Sequence, residues 1–226
     1  GIIALVLVTA ISTGYGLLSY VAGQEKIQQE KHQERLKSEL SFLRSQISPH
    51  FIFNILNSIV YLIRSKSALA EPVTLKLSDL MRYMLYESEN NQIPLEKEIL
   101  YVENYIELQK VRFEDDVEII YTLEGTPQNQ IIEPMLLIPF VENAFKHGVG
   151  MVLQPAIHVH LKITEKDLCF TVRNKISTVT EEDKDDSSGI GLKNVQRRLE
   201  LLYPNDHELK INKSEDWFEV SLKLAF

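Results

Sequence analysis

The run Pro139-Phe-Val-Glu-Asn-Ala-Phe-Lys-His-Gly148 is the stretch on which the reading of this chain turns. It predicts a helix over residues 138–147 whose polar side chains crowd into two turns. Asn143 offers a side-chain oxygen, a hard ligand suited to a Mg²⁺ ion that bridges phosphates. Lys146 and His147, three and four residues on, share that helical face and could meet phosphate oxygens. Glu142 could assist the metal or a proton transfer. The alternative is an amphipathic helix whose polar face is merely solvated.

Working outward from that run, a partner block follows at residues 188–203. Gly189 and Gly191 would let the backbone pass close to phosphates before a helix over residues 192–202, whose free N–H groups and positive dipole end suit an anion. The polar, charged stretch 177–188 ahead of it reads as a mobile lid or as a simple solvated loop. Around the two blocks, alternation predicts strands at 117–123, 156–163, 168–172, 208–211 and 217–224, and the Gly125-Thr-Pro turn ends the first. A helix over 95–113 carries Ile99, Val102, Tyr105, Ile106 and Val111. That mixture predicts an α+β sandwich, helices on one face of a mostly antiparallel sheet.

Upstream, Ser45-Gln-Ile-Ser-Pro-His-Phe-Ile-Phe-Asn-Ile-Leu-Asn57 places His50 in a helical stretch behind a proline that should bend or loosen the helix. With an ordinary pKa near 6.5, an exposed imidazole is mostly neutral at pH 7 and offers a lone pair for attack on a γ-phosphorus. Asn54, one turn on, could orient the ring or a phosphoryl oxygen; a plain surface role for Asn54 and Asn57 is the alternative. A second helix, about 74–87, follows a short polar break at 65–71, so the two predict an antiparallel hairpin, and two hairpins a dimeric four-helix bundle. Asn90-Asn-Gln-Ile-Pro94 reads as a linker and a domain boundary.

Residues 2–22 hold no charged residue, and at 1.5 Å each such a helix spans roughly 31 Å, the thickness of a bilayer's hydrocarbon core. Residues 25–47 carry five Lys or Arg against four Glu, a slight cytoplasmic bias. Leu36, Leu40, Leu43 and Ile47 follow the 4-3-4 spacing of a coiled-coil seam. The chain reads as the C-terminal part of a longer protein. The 226 residues are 44% hydrophobic, enough for a core, and the net charge of −8 argues against direct nucleic-acid binding through a basic surface. The single cysteine, Cys169, forms no internal disulfide and reads as a small apolar strand residue in a reducing compartment. His158 and His160 lie two apart without a third metal ligand, so they read as exposed strand positions.

Taken together, the runs at 46–57, 139–148 and 189–199 resemble the phosphoacceptor box, N box and glycine box of membrane sensor histidine kinases of the LytS/YehU type, whose ATP-binding domain has the Bergerat or GHKL fold. The resemblance covers nearly everything after Leu43. It implies a transmembrane helix at 1–23, a juxtamembrane coiled coil at 24–47, a dimerisation and phosphoacceptor hairpin at 48–93 and an ATP-binding domain at 94–226. It further implies a homodimer at the inner (plasma) membrane, cytoplasmic after about residue 23, that phosphorylates His50 from ATP with Mg²⁺ and passes the group to a response regulator of the LytTR kind. Asn143, Lys146, His147, Gly189, Gly191 and Arg197 would meet the nucleotide, with Asn143 and Glu142 on the metal. Three departures stand out. Phe51 occupies the place where many such kinases have an acid beside the histidine, so the general base is unassigned. Asn174 stands where most have the aspartate that bonds the adenine amino group; an amide oxygen can still accept that bond. Pro139 replaces the water-activating glutamate of related ATP hydrolases, which disfavours a GHKL-type ATPase. A nucleotide-binding receptor scaffold without turnover is the remaining alternative.

Overall fold

The computed structural model describes residues 1, 14, 24, 49–87, 92–150, 152–177 and 190–226, with the backbone alone at 49, 50 and 190. The chain divides into two compact units, Gly1–Gln46 and Ile47–Phe226. The expected membrane span, the coiled coil, the bend ahead of His50, the lid and Gly189 lie outside the described residues. Among the described residues, no helix is long and apolar enough to cross a membrane.

Helix α1 (Pro49–Arg64) turns Phe51, Ile55, Ile59 and Leu62 inward, a 4-4-3 spacing that keeps one stripe on the core. A short turn, with Lys66 at φ 54°, leads to α2 (Ala70–Arg82), which buries Val73, Leu77 and Leu80. The second helix starts earlier than its expected position near 74. Pro72 falls in its first turn, where a missing N–H costs nothing, so the polar residues before it can be helical. Its end unwinds into a π turn, Tyr83–Glu87, that buries Tyr83 and Met84.

The expected linker is in part ordered structure. Strand β1 (Ile93–Pro94) pairs with β3 (Ile131–Ile132), and the Leu95 N–H that opens α3 (Leu95–Phe113) bonds the Gln130 carbonyl at 2.9 Å. The remaining elements are β2 (Glu118–Glu124), α4 (Ile138–His147), β4 (Ala156–Ile163), β5 (Asp167–Lys175), α5 (Ile190–Leu202), β6 (His207–Lys213) and β7 (Trp217–Ala225). Five strands form one sheet in the order β2-β4-β5-β7-β6; β2 and β4 are parallel and the other neighbours antiparallel.

Strand alternation decides where the core lies. Ile157, Val159 and Leu161 of β4, Leu168, Phe170 and Val172 of β5, and Val220, Leu222 and Leu224 of β7 are all buried. Helices α4 and α5 cover that face, with Phe140 edge-on to Phe170 at 6.1 Å. The opposite face carries the polar row, including half-buried Cys169. The α+β arrangement expected for this half of the chain is therefore present. Residues 47–226 form a single compact unit, with the α1–α2 hairpin resting on α3.

Candidate nucleotide and phosphoacceptor site

Helix α4 spans Ile138–His147 and faces its apolar residues Phe140, Val141, Ala144 and Phe145 to the core, which leaves the intervening polar ones at its edge. Asn143 and Glu142 are half-buried and Lys146 is exposed. Burial alone pushes the Glu142 carboxyl up to about 7, and the α3 tyrosines Tyr101 and Tyr105 are raised by their own burial first and then by the Glu142 charge. His147 is held below its ordinary value by burial and then by the neighbouring Lys146 charge. Its Nε2 is buried and has no hydrogen-bond partner among the described residues. A neutral imidazole with an unused nitrogen beside an ammonium suits a phosphate oxygen. An amide oxygen at Asn143 and a carboxyl at Glu142 are a hard donor set for Mg²⁺. The residues present thus fit a magnesium-bound triphosphate.

The helix ends at Gly148, and the fold requires a glycine there for space. A Cβ would stand 2.6 Å from both the Ala144 carbonyl oxygen and the Asn174 Cβ. The end of α4 and the buried Asn174 of β5 are therefore in direct contact, although Gly148 and Asn174 are 26 residues apart by numbering. The Asn174 amide nitrogen donates to the Lys175 carbonyl at 3.0 Å, so its oxygen is the end left to accept a bond from an adenine.

Gly191 is exposed in the first turn of α5, and a Cβ added there would meet nothing within 4 Å. Its absence of a side chain leaves backbone open at a helix start, as an anion site needs. Arg197 lies on an exposed flank of the same helix, 3.6 Å from Glu200. The residue of α5 that the fold engages is its neighbour Arg198, which is 2% exposed.

Position 50 is in α1, and spacing puts positions 50, 54, 57 and 61 on one flank of that helix. Asn54 is half-buried and its carbonyl accepts the Ser58 hydroxyl at 3.2 Å. Asn57, Ser58 and Tyr61 line an open cleft of about 280 Å³ together with Leu62, Val111, Arg112 and Glu114. Phe51, the residue after His50, stacks on Tyr105 of α3 at 4.4 Å, and Tyr105 meets Phe145 of α4 edge-on at 5.9 Å.

On the open face of the sheet, His158 Nδ1 accepts from Arg173 Nε and Nη2 at 3.1 and 2.9 Å, and Arg173 also lies 4.7 Å from the Trp217 ring centroid. His160 bonds Glu124 at 3.1 Å. These histidines have protein partners, and neither belongs to a metal-holding group of three or more His, Cys, Asp or Glu side chains, of which there is none among the described residues.

Sequence reasoning missed the buried polar group under α4. Glu98 is fully buried, as is the pair of Arg198 and Glu133 at 3.3 Å. A signal was available: Glu98 falls four residues before Val102 on the apolar face of α3, and Arg198 falls between Val195 and Leu199 on that of α5. A charge on an apolar face is either solvent-exposed at a rim or specifically paired.

Residues 38–117 match the family described as histidine kinase. The sensor protein LytS of Staphylococcus haemolyticus is 31% identical over 219 residues, 91% of this chain and 38% of the relative. The sensor histidine kinase YpdA of Escherichia coli is 32% identical over 193 residues, 82% of this chain and 34% of the relative. Among solved structures, the histidine kinase domain of a blue-light activated kinase from Erythrobacter litoralis covers 84% of this chain and 95% of its own, at 16% identity and a TM-score of 0.45. Residues 38–117 belong to the histidine kinase family, and the chain is similar over most of its length to LytS-type sensor proteins. Within it the kinship is with LytS-type sensors, and the chain spans 38% and 34% of the length of the two curated relatives described.

Proposed function

We infer that this chain is the kinase part of a homodimeric membrane sensor that phosphorylates His50 from ATP. The observation that carries the reading is the aromatic relay Phe51, Tyr105, Phe145, which puts the helix bearing His50 and the helix bearing Asn143 on one shared core. The helix that carries the proposed acceptor therefore shares a core with the helix that would hold the nucleotide.

In this reading bound ATP with Mg²⁺ supplies the electrophilic γ-phosphorus and the leaving group. Asn143, with Glu142, would hold the ion, while Lys146 and His147 would neutralise phosphate oxygens. Asn174 would accept from the adenine amino group, and the backbone at Gly189 and Gly191 would lie along the phosphates, with Arg197 on the same helix. The His50 ring nitrogen would form the new N–P bond as the bond to the bridging oxygen breaks and ADP departs; Asn54 would orient the ring. The phosphoryl group then passes to an aspartate of a response regulator of the LytTR kind.

The dimer has its own support. Phe53, Leu56, Val60 and Ile63 are exposed on the side of α1 opposite its buried stripe. A soluble helix seldom leaves two apolar faces unless both are covered. A second copy of the hairpin would cover the exposed one and complete a four-helix bundle, with residues 1–23 anchoring the dimer in the membrane and 24–47 linking the two.

Incubating the chain in detergent micelles with γ-labelled ATP and Mg²⁺ tests the assignment. The expected product is acid-labile, base-stable label on the wild type and none on His50→Gln. Equal labelling of the variant removes His50 as acceptor. Nucleotide binding without label in the wild type supports the receptor scaffold instead, prompted by Asn174 and the missing acid beside His50.

A further inference from the structure

The turn at residues 133–137, which opens into α4, is gripped from three directions. The Glu98 carboxylate, from α3, accepts the N–H groups of Met135 at 2.8 Å and Leu137 at 2.9 Å. Arg198, from α5, donates to the carbonyls of Met135 and Pro134, both at 2.8 Å. The Glu133 N–H donates to the Tyr203 hydroxyl at 2.9 Å. Between these clamps Met135 is held at φ 57°, a left-handed conformation that a side chain resists and that persists only where the surroundings impose it.

The remaining direction, beyond α3 and the α5 end, is the hairpin. Tyr83, in the π turn that ends its second helix, donates its hydroxyl to the same Glu98 oxygen that holds Met135. Burial first, and then the Glu98 charge, hold that phenol far from ionisation, so it acts as a fixed donor. A π turn is rare and is found frequently at functional sites. Here it delivers a hydroxyl from the hairpin to a carboxylate that shapes the entrance of the nucleotide helix, while Arg198 ties the same turn to the helix that follows Gly191.

We propose that Tyr83 and Glu98 are positioning residues for phosphoryl transfer: through their shared hydrogen bond, the attitude of the hairpin sets the turn at 133–137 and hence the alignment of Asn143 in α4. The proposal rests on the phosphoryl-transfer reading above. When the hairpin shifts, Glu98 loses one of three donors, and a buried carboxylate short of a donor is costly enough to bias the turn it holds. Tertiary contact with His50 itself is not needed. The link runs from the far end of the hairpin.

The test uses the whole chain in micelles and Tyr83→Phe, which deletes the hydroxyl and keeps the ring stacked on Tyr101 at 4.3 Å. Amide exchange at Met135 and Leu137 should accelerate about tenfold, the scale of one hydrogen bond to a charged group. The kcat for His50 labelling should fall about tenfold with KM for ATP within about twofold, and adding Glu98→Gln should multiply the loss by less than its single effect. Exchange within about twofold of the wild type overturns the proposal, and so does faster exchange with kcat unchanged, since the bond would then serve stability alone. A wild type that binds ATP and takes no label sinks the kinase reading separately, and the exchange measurement then decides whether hairpin and turn are coupled.

Discussion

At the scale of single residues, polar groups here gain their character from what the fold places beside them. His158 is an example on the open sheet face. Two donors from Arg173 occupy its Nδ1 lone pair, so its own proton sits on Nε2, and protonating the ring would break both bonds. Burial, and next the Arg173 charge, hold its pKa below the ordinary 6.5, with Glu118 opposing. A histidine whose folded pKa is depressed contributes stability that is present above the unfolded value and lost as pH falls through the folded one. The wild type should therefore melt at lower temperature at pH 5 than at pH 7.5, and His158→Gln should show a smaller difference between those two buffers. An unchanged difference would assign the acid sensitivity to other groups. Glu142 illustrates the opposite case, a carboxyl that burial has pushed up to about 7 and that metal coordination would return to its charged form.

Among the elements, the decisive contact joins the C-terminus of α4 to β5. Backbone approaches side chain at Gly148 and Asn174 so closely that even a methyl group finds no room. Gly148→Ala should cost about 2 kcal/mol in urea unfolding, as overpacked sites do, and should weaken nucleotide binding by displacing Asn174. Loss of stability without loss of nucleotide affinity would separate the contact from the site. Legibility at this scale was uneven for physical reasons. The bounds of α4 could be read from its apolar period, and the strands from their alternation, because each faces a core on one side only. Asn90 to Pro94 read as linker from its turn-forming residues, yet Ile93 and Pro94 pair with Ile132 and Ile131 because a distant segment supplies the ladder. The early start of α2 likewise came from Pro72 serving as a first-turn residue rather than a breaker.

For the molecule as a whole, the question is how the hairpin associates. Val60 is 45% exposed within the apolar stripe of α1, so Val60→Lys should alter the folding of one copy by less than about 0.5 kcal/mol. Sedimentation of the chain in micelles should show a dimer for the wild type and a monomer for Val60→Lys. A dimer that survives the substitution would move the interface elsewhere, to the segment before residue 47 for instance. Labelling of a mixture of His50→Gln and Asn143→Ala chains adds a second readout: on the proposed assignment neither alone should take label, and label on the mixture would report transfer between two copies.

Candidates for the site could be proposed from the linear order: Asn143, Lys146 and His147 by helical spacing, Gly191 by its place before a helix, and His50 by its imidazole in a helical run and by resemblance to a family. Local periodicity carries such information, since it depends on neighbours a few positions away. Asn174 was found by resemblance, but its contact with Gly148 was not, and the meeting of Glu98, Tyr83 and Arg198 around one turn went unseen. Those partners are separated by 15 to 64 positions along the chain. Only folding brings them within bonding distance, and only burial makes a carboxylate there too costly to leave without its donors.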